Sequence, residues 1–135
     1  MGRAIHPAGG VISCAHDLFE YARFHMGDGT APDGSCLLQA QTLAQMHTPL
    51  LHATGLRQIA LSWFTYTLNG VKLLRHTGGT HGQITLLTFA PAEQFALVVL
   101  TNSSEGDGVI DAAEATALQK YLGVNIPQPV PLDLP

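Results

Sequence analysis

Leu73-Leu74-Arg75-His76-Thr77-Gly78-Gly79-Thr80-His81-Gly82 starts as an apolar strand and runs into three glycines interleaved with two threonines and two histidines. Glycine has no Cβ, so the backbone there can take positive φ and can come close to a ligand. A strand ending in such a run offers unpaired backbone N–H groups beside hydroxyl and imidazole side chains. Those are the parts of an anion or oxyanion site. The same letters also read as a β-hairpin with a glycine-rich turn. The flanking segments decide between the two.

Working outward, Asn69-Gly70 just upstream is a strong two-residue hairpin signal, with β-branched and aromatic residues over 59–68 as the partner strand. Downstream, 83–90 reads as a third strand, 91–94 as a turn and 95–100 as a fourth. Phe95-Ala96-Leu97-Val98-Val99-Leu100 is apolar on both faces, the mark of a central strand. A helix over 109–122 follows, closed by Gly123, with Asp107, Asp111 and Glu114 as favourable charges near its start.

Toward the N-terminus, Pro7-Ala8-Gly9-Gly10 is a turn and Ser13 an expected N-cap, with Asp17 in the first helical turn. Ala15, Leu18, Phe19, Ala22 and Met26 recur at helical spacing and predict one buried face, with His16 and His25 at the surface or boundary. Gly27-Asp28-Gly29 ends that helix. A shorter one spans 39–47, stopped by Pro49. The fold class is therefore α+β, a four-stranded antiparallel meander flanked by helices. Residues 1–123 form the domain, and 124–135, with four prolines, form a tail or linker.

Composition bounds the function. A chain of 135 residues, 46% hydrophobic and 12% charged, packs a core. A net charge of -4 with six Lys and Arg leaves no basic patch for nucleic acid. No apolar run is long enough to span a membrane, and the N-terminal residues lack the apolar core of a signal peptide. Cys14 reads as a small core residue, and whether it pairs with Cys36 stays open. The spacing of His76 with His81, and of His47 with His52, does not put two imidazoles on one helical face, so no metal site is expected. Trp63 and Phe64 are core or site-wall aromatics.

Four pieces, in order, resemble the C-terminal part of the serine β-lactamase and penicillin-binding-protein family, including its class C and esterase-like members. They are Ala8-Gly9-Gly10 through Asp17-Leu18, Leu37-Leu38 through Met46-His47-Thr48-Pro49, Leu61-Ser62-Trp63-Phe64, and His76-Thr77-Gly78-Gly79 with Gly82 and Val99-Leu100-Thr101-Asn102. The family's third motif is most often Lys-Thr-Gly, with His for Lys in many esterase-like members. The resemblance implies that His76 lines the site, that Thr77 offers a hydroxyl to the substrate and that Gly78 lets the strand approach it. The Gly79 N–H would be one of two oxyanion-hole donors. The implied reaction is cofactor-free acyl transfer through a serine ester, on a β-lactam, a D-alanyl peptide or a small ester. Family members are often exported.

The nucleophile's Ser-x-x-Lys is missing: Asn69 lies three before Lys72, and Ala117 three before Lys120. Tyr-x-Asn is missing too, since Tyr21, Tyr66 and Tyr121 are followed two on by Arg23, Leu68 and Gly123. An oxyanion hole without a nucleophile forms no acyl-enzyme. Two expectations follow from different classes: one portion of a longer serine hydrolase, inactive alone, or a non-catalytic domain that binds a ligand or partner in the same groove. Either way, a bare apolar edge at 95–100 predicts self-association.

Overall fold

The hairpin at Asn69-Gly70 forms as its letters demand, with φ of 50° and 86° at the two residues, the left-handed pair of a tight strand-matched turn. In the computed structural model, which describes residues 4, 6–80 and 82–126, this turn joins β3 (Phe64–Leu68) to β4 (Val71–Thr80). β5 (Gln83–Ala90) and β6 (Phe95–Leu100) follow, each antiparallel to the strand before it. Two short strands precede them, β1 (Leu51–His52) and β2 (Gln58–Ile59), so the sheet has six strands in sequence order rather than four. Two residues are too few for a period-2 pattern, which is why the sequence does not announce them. The chain turns sharply between β2 and β3, where the Ala60 N–H donates to Trp63 O and Ser62 sits at φ 65°.

The helices are α1 (His6–Gly9), α2 (Ala15–Met26), α3 (Ala40–Met46) and α4 (Asp107–Leu122). Pro7-Ala8-Gly9 thus belongs to a single helical turn. Ser13 is not the N-cap of α2: Cys14 takes that position without a side-chain cap bond, and is exposed rather than core. Cys36 is also a free, exposed thiol. Gly123 closes α4 in the left-handed conformation, as expected.

One helix packs on each face of the sheet. Ala22 of α2 joins Ala60, Trp63, Leu74, Leu87 and Phe89, with Met26, Ala96 and Val98 around them. On the other face Leu118 of α4 joins Leu68, Leu73 and Ala90, with Phe95 beside them. Val124 and Ile126, the start of the expected tail, pack into this second cluster; residues 127–135 lie outside the described residues.

β6 is the last strand of the described sheet, not a central one. Its apolar character on both faces has another cause: Ala96 and Val98 face α2 while Phe95 faces α4. The expected apolar face of α2 is only partly covered. Ala22 is fully buried, but Phe19 is 42% exposed and Ala15 is also exposed, while His25 takes a buried position.

Candidate functional site

The glycine motif does not break the strand. All of His76–Thr80 lies in β4, paired with β5 in the register His76↔Leu87, Thr77↔Leu86, Gly78↔Thr85, Gly79↔Ile84 and Thr80↔Gln83. Only then does the chain turn, with Gly82 at φ 73° and His81 outside the described residues. On the opposite side β3 begins at Phe64, whose partner is Arg75, so from His76 onward β4 has no partner strand there among the described residues. The motif is a half-paired strand end.

Alternation of the antiparallel ladder sets which way each peptide faces. Ile84 gives its C=O to the Thr101 N–H at 3.0 Å and its N–H to Thr101 Oγ1 at 3.3 Å, both on the β6 side. Its partner Gly79 therefore directs its own N–H and C=O away from β5, toward the side where β4 has no partner strand among the described residues. Thr77, two residues back, faces the same way. His76 and Gly78 spend their peptide groups on β5.

Side-chain ends of β5 crowd both glycines. A Cβ on Gly78 would lie 2.8 Å from Thr85 Oγ1, which donates to Gly78 O at 3.3 Å. A Cβ on Gly79 would lie 3.3 Å from Ile84 Cδ1. His76 is exposed, and its ring stacks on Phe64 with centroids 5.9 Å apart. The Arg57 guanidinium lies over the same Phe64 ring, 5.1 Å from its centroid. Phe64 is thus a wall of the motif, and Trp63, 4% exposed, belongs to the core.

Two arrangements escape the sequence reading. Glu114 is not a solvated charge at a helix start but is 4% exposed. It accepts from Arg75 Nε at 2.9 Å and 3.1 Å and from the Thr88 hydroxyl, with Asp111 3.8 Å from Arg75. Its position, four after Ile110 and four before Leu118, puts it on the buried stripe of α4, a signal available in the letters. His25 is buried rather than at the surface, and its Nδ1 lies 3.0 Å from Nε2 of His47, which is also buried. Ala22, three residues earlier on the covered stripe, was the sequence signal.

The two imidazoles share one proton in their hydrogen bond and sit among Trp63 and Phe89 rings. Burial, and next the neighbouring His47, push the His25 pKa down to about 4. Burial, then the Lys72 charge, lower that of His47. Between pH 6.5 and about 4 the unfolded chain binds a proton that the folded chain refuses, so this contribution is complete above pH 6.5 and lost as pH falls toward 4. Urea unfolding at pH 7 and pH 4.5 should differ by on the order of 1–3 kcal/mol. In His25→Phe that pH dependence should shrink, whereas an unchanged slope would place the acid sensitivity elsewhere.

Among the described residues no three His, Cys, Asp or Glu side chains are grouped to hold a metal ion, and no helix is long and apolar enough to cross a membrane. A concavity on the outer face of α4, lined by Gly108, Ala112, Thr116 and Tyr121, lies away from the motif.

Comparison with known proteins places the chain in a family. A family model described as Beta-lactamase matches residues 1–120. The chain is 29% identical over 134 residues to "Penicillin-binding protein 4" of Amycolatopsis lactamdurans, a match covering 93% of this chain and 34% of that protein. The chain thus spans about a third of the length of the curated relative it matches. With the family model covering nearly all of it, the chain belongs to the beta-lactamase family.

Proposed function

We propose that this chain is the C-terminal, third-motif portion of a serine acyl-transfer enzyme, whose nucleophile lies in sequence outside these 135 residues. The observation that carries the reading is the half-paired end of β4, where Gly79 turns its N–H away from β5, to the side that β3 does not reach, next to His76 and Thr77 in the strand. A backbone N–H held by a strand is a preorganised donor for the negative charge of a tetrahedral intermediate. Thr77 would bind the substrate with its hydroxyl, Gly78 would let the strand lie close, and His76 would line the cleft. The substrate class is a small acyl donor: a β-lactam, a D-alanyl peptide or an ester. The His-for-Lys exchange favours the esterase-like branch.

Alone, the chain should be inert. Incubation with a chromogenic cephalosporin and with a p-nitrophenyl ester should release no more product than buffer. A burst of product in proportion to protein would contradict the reading, since no serine here stands in Ser-x-x-Lys.

Self-association belongs to the same proposal. Half-buried Phe95–Val99 ends the described sheet without a charge or proline to block strand addition. Val11, Ile12, Leu37, Leu50 and Leu51 are all more than half exposed. Sedimentation at micromolar concentration should give dimers or larger species. A single species near 14.3 kDa, unchanged on dilution and silent to a hydrophobic dye, would sink this part.

A further inference from the structure

We propose that α4 is a two-point brace that sets the position of the Thr77–Gly79 backbone, with Glu114 and Gly106 as its positioning residues. The inference rests on the acyl-transfer reading for its purpose, but its geometry stands alone. Arg75 is the last residue of β4 with partners on both sides, Phe64 on β3 and Thr88 on β5. Arg75 and Thr88 face each other across the ladder, and both end on one buried carboxylate, that of Glu114. The helix therefore grips two adjacent strands at the row where double pairing stops. Thr77 follows on the same face, about 7 Å along the strand.

The second point lies at the start of the helix. Gly106, the buried residue before α4, sits where a Cβ would overlap the Thr101 hydroxyl and lie 3.1 Å from Ile84 Cβ. Its φ of -70° would suit any residue, so space alone demands glycine there. Ile84 is the residue opposite Gly79, and Thr101 holds both peptide groups of Ile84. Gly106 thus lets the helix start close against the residue that seats Gly79. The motif lies between the two grips. Neither Glu114 nor Gly106 needs to touch a substrate, and each acts through a strand residue.

Amide hydrogen exchange by NMR on the intact chain tests this. The reporters are the His76 and Gly78 N–H groups, which face β5, compared with Leu74 N–H, which faces β5 deeper in the sheet. Glu114→Ala and Gly106→Ala should speed exchange at His76 and Gly78 about tenfold relative to Leu74, and should shift the Gly79 amide resonance. Glu114→Gln keeps an acceptor for Arg75 and a partner for Thr88, so it should stay within about threefold of the unaltered chain. Leu118→Ala, a core truncation on the same helix, should loosen all three sites together. If Glu114→Ala does not fold, Gly106→Ala and Thr88→Val carry the comparison. The brace is overturned if these variants move all three amides by one common factor, as Leu118→Ala does. No substrate enters this measurement, so a negative result leaves the acyl-transfer reading to its own test.

Discussion

Gly79→Pro should lower the acylation rate constant about 10²–10³-fold in any active form that contains this chain together with a Ser-x-x-Lys segment. The magnitude is that of losing one oxyanion donor, because proline has no N–H to give. The geometry makes the loss selective. Gly79 pairs with Ile84 through a position where neither spends its peptide groups on the other, so the ladder to β5 does not lose a bond. His76→Gln should cost about tenfold or less, since His76 is exposed and meets Phe64 by stacking rather than by a proton-relay partner. Circular dichroism and thermal melts must show both variants folded. The reverse ranking would assign His76 a proton-transfer role, which is worth about 10²–10⁴.

Phe89→Ala should destabilise the chain by about 3–5 kcal/mol, the largest loss expected from a single side chain here. Phe89 has no exposed surface, and its ring meets Trp63 edge-on at 4.8 Å and both buried histidine rings at 5.6 Å and 5.8 Å. Removing it opens a cavity between α2, α3 and the sheet and also wets the His25–His47 pair. The two losses are coupled, so Phe89→Ala combined with His25→Phe should cost less than the sum of the separate changes. Urea titrations of the four proteins at pH 7 measure this; strict additivity would mean that ring and imidazole pair stand independently.

Much of this fold was legible because its punctuation is strong. Asn69-Gly70, Gly123 and the two uninterrupted runs at 83–90 and 95–100 each carry a local signal that tertiary packing had no reason to override. The glycine motif was not legible as a strand. Glycine is a poor strand former by itself, and only the pairing supplied by 83–87 extends β4 through Thr80. Glu114 and His25 were misjudged for a shared reason. A polar residue on an apolar stripe is read as solvent-facing until a partner is known, and the partners lie 39 positions away at Arg75 and 22 away at His47. The two-faced apolar pattern of 95–100 does not by itself mark a central strand, because helices can cover both faces of an end strand.

The central claim is that these residues supply the oxyanion side of a serine acyl-transfer site and not its nucleophile. Intact-protein mass spectrometry after exposure to benzylpenicillin and to an activated ester tests it most directly. The chain should be compared with a form extended by whatever its reading frame encodes upstream. The chain alone should keep its mass of 14.3 kDa. The extended form should gain one acyl group, mapped by peptide digestion to a serine in Ser-x-x-Lys, and Gly79→Pro should slow that gain. An adduct on Ser13, Ser35, Ser62, Ser103 or Ser104 of the chain itself would contradict the account.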